Sequence, residues 1–312
     1  MISFVKKYLP FLGVILFVII LLKFDIGAII KNLADVRLFY FAAASFLLLP
    51  ILATKALCWN YIKRVQGIKY SLKDSFLMYS SGIFLGLLTP GRLGEAAKVF
   101  YLKKDGHSIG KSMVGIFLDR FSDIIFLFAF VCFGSIFYLS IIKKEILIML
   151  LGLLIIFLLL IASLKTGLAR LALKKLFTIF IPERYKKSWN INFHDFISDL
   201  KRYGTKNYLV ISLITILSWS FYYLEMSLLA KGMGLEVPFL YFTISVTIAG
   251  IITFIPISFY GIGTRDAALI ILFAPFAIPA AGVIAFSGLI LLITFFTALI
   301  GFVCWLLKPL KF

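Results

Sequence analysis

Long stretches of apolar residues recur from one end of this 312-residue chain to the other. Several of them approach or exceed the roughly 20 residues that an α-helix needs to cross the hydrocarbon core of a bilayer. A segment that crosses lipid must satisfy its own backbone hydrogen bonds, and an α-helix does so within one segment. We therefore predict an all-α, polytopic membrane bundle in which residues 1–312 form a single integral membrane domain.

The composition agrees with a membrane protein and excludes an ordinary soluble domain. Hydrophobic residues make up 62% of the chain, whereas a soluble domain contains about 45–50%. Unbroken membrane spans are predicted at residues 8–22, 38–59, 112–141, 146–164, 207–230 and 281–307.

Two further apolar stretches, residues 70–102 and 237–275, are each interrupted near the middle by proline and glycine. Proline removes a backbone donor and glycine weakens a helix, so the helical backbone should open there. Freed backbone groups cannot face hydrocarbon and must face protein or a wet cavity. We predict two helical hairpins, each of which enters and leaves the membrane on one side. The predicted helix-break residues are Pro90, Gly91, Gly94, Pro256, Gly261 and Gly263.

The distribution of basic residues predicts the orientation. The formal net charge is +18, and Lys and Arg cluster between the apolar runs, as in cytoplasmic loops that face anionic lipid. Residues 165–206 are the most basic segment, and we interpret them as an amphipathic helix on the cytoplasmic leaflet; a plain solvated loop is the alternative. Nucleic acid is not an expected partner. Both termini are then cytoplasmic, in a cell (inner) membrane.

This orientation also bears on the two hairpins. If both broken stretches crossed the membrane fully, the basic loop at residues 103–111 would lie outside, so the charge bias favours hairpins. The first hairpin would enter from the cytoplasm and the second from the opposite face. Similar breaks approached from opposite faces are typical of an inverted repeat, which we keep as a hypothesis.

An arginine and a carboxylate stand beside each break. Arg92 and Arg265 carry forked donors suited to phosphate. We expect a helix to begin near Gly94, and its N-terminus would add to an anion site. Glu95 would satisfy that terminus or pair with Arg92, and Asp266 would be the counter-charge of Arg265. The alternative is a structural kink whose charges pair only with each other.

Charged residues also occur inside two unbroken spans. Asp119 and Asp123 are four residues apart, on one helix face, and Arg120 lies between them. Such groups are costly in a membrane unless they are paired or line a cavity. A cluster that snorkels to the cytoplasmic interface is the alternative. Glu225 lies deeper in its span, and we expect it to be functional, as a partner of Arg92 or Arg265.

Enzymatic motifs are missing from the sequence. His107 and His194 are isolated, and Cys58, Cys132 and Cys304 lack metal-ligand spacing, so no metal site is predicted. No Ser-His-Asp set and no nucleotide-binding glycine loop can be found. We therefore expect no cofactor and, as the leading interpretation, no catalysis.

The run from Gly86 to Lys98, with its Pro90-Gly91-Arg92-Leu93-Gly94-Glu95 core, is followed by Asp119-Arg120 on the next predicted helix. This order resembles the lysylphosphatidylglycerol synthase transmembrane region family, also called flippase-like membrane proteins. The resemblance covers nearly the whole chain. It is looser at the second break, where Pro256-Ile257-Ser258 stands where relatives often have Pro-Gly-Gly, and Asp266 where glutamate is common.

In the best-known members this region is fused to a soluble aminoacyl transferase, and it moves the aminoacylated lipid to the outer leaflet. The chain ends at Phe312 without such a domain, so the resemblance implies lipid translocation rather than lipid synthesis. Some relatives are implicated in sugar transfer from a polyprenyl-phosphate carrier. The expected function is thus a flippase or scramblase for a phosphate-bearing lipid. A second copy of the chain, in a homo-oligomer, is a further candidate partner. A membrane glycosyltransferase and a lipid-binding accessory subunit are the alternatives.

Overall fold

The structure is a computed structural model. It describes residues 17–20, 22, 25–138, 148, 151–152, 155, 186–253, 258 and 261–310, without the side chains of residues 90–93 and 186–192. Throughout these residues the regular structure is helical, which confirms the all-α prediction. The helices are α1 Ile26–Ala34, α2 Leu38–Val65, α3 Leu72–Leu87, α4 Lys98–Lys104, α5 Ile109–Ser135, α6 Lys186–Leu200, α7 Thr205–Gly232, α8 Phe239–Ile252, α9 Thr264–Phe273 and α10 Ala280–Leu307. Short 3₁₀ helices occupy Pro90–Ala97, Ile136–Tyr138 and Ala274–Phe276.

Four helices in the described part of the chain are long and apolar enough to cross a membrane. They are Leu38–Val65, Ile109–Tyr138, Thr205–Gly232 and Ala280–Leu307. Each coincides with a predicted span. The spans predicted at residues 8–22 and 146–164 lie mostly outside the described residues.

The contacts divide the chain into two compact units. The first comprises Met1–Asn60, Tyr70–Lys98 and Leu213–Phe312, and the second comprises Tyr61–Lys69 and Val99–Ser212. The single membrane domain remains a prediction. In the first unit, an apolar core is built from five helices (α2, α7, α8, α9 and α10). Its buried members include Leu48, Met226, Phe242, Phe273 and Phe286.

The first break separates α3 from α4. Helix α3 ends at Leu87, Thr89 is extended, and Pro90 starts a 3₁₀ helix that runs to Ala97. Thr89 Oγ1 accepts a hydrogen bond from the backbone N–H of Gly94 (2.6 Å). The break is therefore where the sequence predicts it, but the α-helix resumes at Lys98 rather than near Gly94.

The chain folds back on itself at this break. A Cβ added to Gly86 would lie 2.5 Å from Glu95 Cγ, and one added to Gly82 would lie 2.6 Å from Lys98 Cγ. Later residues thus lie beside progressively earlier ones, the antiparallel pattern of a helical hairpin. We call residues 72–98 the first hairpin.

The second break also produces a hairpin. Tyr241, at the start of α8, donates its hydroxyl hydrogen bond to the carbonyl oxygen of Leu272, near the end of α9 (2.7 Å). At the other end, a Cβ on Gly261 would lie 2.5 Å from Thr253 Cγ2. Gly263 begins α9 with a φ of 82°, which a residue with a side chain rarely adopts. We call residues 239–276 the second hairpin; Pro256 lies outside the described residues.

Helix α10 contacts both hairpins and gives a common scale for their depth. Near its end, Lys308 forms an ion pair with Asp74, at the start of α3. Two turns earlier in α10, Gly301 approaches α3 so closely that an added Cβ would lie 2.5 Å from the Ser80 carbonyl oxygen. Helix α3 therefore runs antiparallel to α10, and the tip of the first hairpin points toward the middle of α10.

The second hairpin approaches from the opposite end of the same helix. Arg265, in the first turn of α9, bonds to Ser287, seven residues after α10 begins at Ala280. Helix α9 then returns toward the beginning of α10. At 1.5 Å per residue, both tips reach within roughly 10 Å of the centre of α10.

The second unit holds the described part of the basic segment. Gln66 donates hydrogen bonds to the carbonyl oxygen of Lys111 (2.8 Å) and to Asp199 Oδ2 (3.2 Å). Phe196 of α6 contacts Phe117 of α5, with ring centroids 5.5 Å apart. One face of α6 is therefore covered by α5. Its placement on the leaflet remains a prediction, and residues 165–185 lie outside the described residues.

Candidate functional site

Arg265 lies in the first turn of α9, at the tip of the second hairpin, and is hydrogen-bonded to a serine of α10. Its Nε donates to Ser287 Oγ (3.0 Å), and its Nη2 donates to the Ser287 carbonyl oxygen (3.1 Å). The residue is only 4% exposed. No described residue accepts a hydrogen bond from Nη1, so part of the guanidinium fork is not used by these contacts.

Asp266 completes this cluster and also caps α9. Its Oδ2 accepts from the backbone N–H of Gly263 (2.8 Å), and its Oδ1 accepts from the Ser287 hydroxyl. The same oxygen lies 3.6 Å from Arg265 Nη2. The counter-charge expected from the sequence is thus in place, and a serine that the sequence did not indicate joins the two charges.

Glu95 and Lys98 form a buried charged pair in the first hairpin. Their side chains are 3.5 Å apart at Glu95 Oε2 and Lys98 Nζ, and the Lys98 ammonium lies 4.1 Å from the centroid of the Tyr79 ring. Lys98 is fully buried. An ammonium over an aromatic face is attracted by the ring quadrupole, and the attraction grows when water is excluded.

Lys98 is a described partner of Glu95 that was not predicted from the sequence. The sequence suggested Arg92 or the helix terminus, and Lys98 lies one helical turn after Glu95. Arg92, Pro90 and Gly91 lie in the 3₁₀ helix at the hairpin tip, and their side chains are outside the description. Phosphate binding by Arg92 therefore stays a prediction.

The third group of charged residues lies on α5, in the second unit. Arg120 Nη2 is 3.3 Å from Asp119 Oδ2, and Arg120 Nη1 is 3.7 Å from Asp123 Oδ2. Both carboxylates are buried, while the arginine side chain is 24% exposed. Because α5 begins at Ile109, Asp119 lies about 15 Å from the start of the helix.

Glu225 is set apart from these clusters. It is 2% exposed on α7, and its Oε1 has no hydrogen-bond partner among the described residues. The pairing expected with Arg265 is not formed, because Arg265 bonds to Ser287 and Asp266.

Two residues of these clusters, Lys98 and Ser287, were not predicted from the sequence as site residues. Lys98 could have been found, because it lies three residues after Glu95 and so shares its helix face. Ser287 had no usable signal, since it is a single serine in an apolar helix and meets Arg265 only through the fold.

The described residues contain no group of three or more His, Cys, Asp or Glu side chains arranged to hold a metal ion. In this part of the chain, the clusters contain a guanidinium group with one nitrogen unused and several buried carboxylates.

No match was found among curated proteins. A family model described as "Lysylphosphatidylglycerol synthase TM region" matches residues 9–301, nearly the whole chain. The resemblance inferred from the first break is therefore confirmed, and a multi-pass membrane protein is the expected form of such a match. With its helical membrane spans and its two broken hairpins, the chain belongs to the lysylphosphatidylglycerol synthase TM region family.

Proposed function

We propose that this protein moves a phosphate-bearing lipid between the two leaflets of the membrane. The observation that carries the proposal is the approach of two broken hairpin tips toward the middle of α10 from its opposite ends, with Arg265 buried beside one of them. Helix α10 has 28 residues, about 42 Å, enough to cross the roughly 30 Å hydrocarbon core. The tips would then lie inside the membrane.

A break in helical backbone inside the membrane can lower the barrier to moving a phosphate. A phosphate carried through hydrocarbon without partners loses its hydration, at a cost of many kcal/mol. Hydrogen-bond donors already in place at the midplane lower that barrier. Backbone N–H groups at the two breaks that have no partner within the protein would be such donors.

Arg265 is the described residue best suited to receive the phosphate. Ser287 and Asp266 fix its orientation, and Nη1 has no described acceptor. An arginine fork binds phosphate oxygens with two parallel hydrogen bonds, which a lysine ammonium cannot do. We assign Arg92 the same role at the first tip.

The carboxylates would orient these arginines or meet a cationic head group. Glu95, Asp119, Asp123 and Asp266 each lie within ion-pair distance of a described cation. We propose a phospholipid, an aminoacylated phospholipid or a polyprenyl-phosphate lipid as the substrate class. We place both termini and the basic segment on the cytoplasmic side of a cell (inner) membrane, where the segment would contact anionic lipid.

The proposal is tested with purified protein in liposomes that contain a fluorescent phospholipid, with phosphatidylglycerol, its lysyl ester and a polyprenyl phosphate as separate substrates. Exchange between leaflets is measured by quenching from outside. Arg265→Lys keeps the charge and loses the fork; losing a charged hydrogen bond worth about 1.5–3 kcal/mol should slow exchange roughly 10- to 100-fold.

A matched control is Arg202→Lys, because Arg202 also contacts a carboxylate, Asp199, but its side chain is 54% exposed. It should exchange lipid like the wild type. Equal exchange in protein-free liposomes, or an unchanged rate for Arg265→Lys, contradicts the proposal. Sugar transfer without exchange would identify a glycosyltransferase, with Asp119 or Glu95 as general base. Neither activity, with stable partner binding, would identify an accessory subunit.

A further inference from the structure

Glu225 is a buried carboxyl group that the proposed phosphate site does not use. It lies seven residues before the end of α7 at Gly232, about 10 Å along the helix. Its side chain is 2% exposed, and Oε1 has no hydrogen-bond partner among the described residues. A carboxylate in such a place is costly when it is ionised and unpaired, whereas the neutral acid is much less so.

Among the described residues, no cation lies within ion-pair distance of Glu225. Met226 and Leu229, its neighbours on α7, belong to the apolar core with Leu48 of α2 and Phe242 of α8. The titratable side chains next to it on α7 are Tyr222 and Tyr223.

Several titratable and charged groups on the helices around this core make other contacts. Tyr223 shares a hydrogen bond with Thr247 of α8 (2.7 Å). Lys55 of α2 lies over the Trp219 ring, with Nζ 5.8 Å from the centroid. On α9, Arg265 and Asp266 form the cluster with Ser287 of α10.

A second unpartnered polar group lies on the same face of the helix. Ser218 is seven residues before Glu225, two turns of an α-helix, and is also 2% exposed. Its hydroxyl has no hydrogen-bond partner among the described residues. One face of α7 thus carries two buried polar groups, Ser218 and Glu225, that have no hydrogen-bond partner at these atoms among the described residues.

A proton fits this position better than other cations do. A metal ion needs several oxygen ligands, and the described residues provide no such group. A proton needs no further ligand, because it converts the carboxylate to an uncharged acid.

We infer that Glu225 is a proton-binding site, which holds its carboxyl neutral in the resting protein and exchanges that proton with water as the lipid moves. The proton leaves the carboxyl oxygen for water and returns from water, so no other reactant is required. The second half of this inference rests on the proposed lipid transport; the first half does not.

The resting proton is tested by labelling. The membrane-soluble reagent dicyclohexylcarbodiimide reacts with protonated carboxyl groups, and the modified residues are identified by mass spectrometry of the purified protein. An ordinary glutamate is protonated in only about one molecule in 500 at pH 7. Glu225 should be labelled at least about tenfold more than the exposed Glu236 at this pH, and labelling should decline as the pH rises. Glu225→Gln should remove it. A Glu225 that is no more reactive than Glu236 overturns the inference.

The link to transport is tested in the same liposomes with a pH gradient. The gradient should change the rate of lipid exchange in the wild type and in Glu236→Gln, and should have no effect in Glu225→Gln. Glutamine has the size of the neutral acid, so thermal unfolding serves to show that this variant folds. A gradient effect that persists in Glu225→Gln refutes the coupling. Labelling without any lipid exchange would keep the proton site and reject the proposed function.

Discussion

At the scale of single residues, the contacts of Arg265 show how a cation is kept charged in an apolar bundle. Ser287 accepts two hydrogen bonds from the guanidinium and donates one to Asp266. A buried charge retained in this way needs every partner, since an unsatisfied polar group in a low-dielectric interior is costly. The serine therefore matters for the arginine as much as the carboxylate does.

Replacing Ser287 tests this dependence. Ser287→Ala removes the hydroxyl that joins Arg265 to Asp266, and we expect unfolding in detergent to become easier by about 1–3 kcal/mol. Lipid exchange should fall with it, and Ser287→Thr, which keeps a hydroxyl, should restore part of both. Thr297→Ala on the same helix is the control, because its hydroxyl bonds only to Ile293 of its own helix. Equal effects of Ser287→Ala and Thr297→Ala would contradict the assigned role.

The buried lysine of the first hairpin makes a second residue-scale prediction. Lys98→Met keeps a flexible apolar chain against Gly82 but leaves the carboxylate of Glu95 without its ammonium. Breaking a buried pair costs about 3–5 kcal/mol, so thermal unfolding in detergent should shift strongly.

The double variant Glu95→Gln, Lys98→Met tests whether the two charges stabilise the protein as a pair. With both charges gone, no uncompensated charge remains buried, and stability should recover relative to Lys98→Met alone. If the two single losses simply add, the residues do not act as a pair.

At the scale of elements, each hairpin depends on a close approach of its two arms. In the first hairpin, a Cβ on Gly94 would collide with the carbonyl oxygen of Leu85. Helix α3 is thus held against the 3₁₀ helix by backbone contact, and its opposite side is approached by α10 at Gly301. A backbone neighbour cannot move aside as a flexible side chain can.

Gly94→Ala should therefore separate the arms of the first hairpin. Overpacking of this kind costs about 1–3 kcal/mol, and more where backbone is involved. We expect a lower unfolding temperature and slower lipid exchange. Gly204→Ala is the matched control, because an added Cβ at Gly204 would meet nothing within 4 Å. A Gly94→Ala protein as stable and active as Gly204→Ala would show that the contact is not needed.

At the scale of the whole molecule, the decisive property is which side of the membrane each hairpin opens to. The antiparallel arms place the two ends of each hairpin together. In a membrane, both ends of one hairpin should then face the same side. Because the two hairpins approach α10 from opposite ends, we expect the first and second to open to different sides.

Single cysteines introduced at the ends of the hairpins test this arrangement in intact cells with an impermeant maleimide. Lys69→Cys and Asp105→Cys flank the first hairpin and should react only after the cells are opened. Glu236→Cys and Ala277→Cys flank the second and should react from outside. All four positions are exposed, while the native Cys58, Cys132 and Cys304 are buried and serve as background. Reaction of positions 69 and 105 from different sides would show full crossing instead.

Sequence alone was sufficient for the membrane helices, because the energetic requirement for a span is local. About 20 apolar residues in a row determine a span whatever surrounds them, and α2, α5, α7 and α10 are found where such runs were identified. The breaks at Pro90 and Gly263 were also predictable, since proline and a positive φ act on their own backbone.

Only the tertiary structure decided which charges meet. Glu95 turned out to contact Lys98, Arg265 is oriented by a serine 22 residues away, and Glu225 meets none of the described cations. These outcomes depend on how helices far apart in the chain pack together, and a charged side chain carries no local signal that names its partner. Residue type predicted that these positions matter, whereas the partner of each was set by the fold.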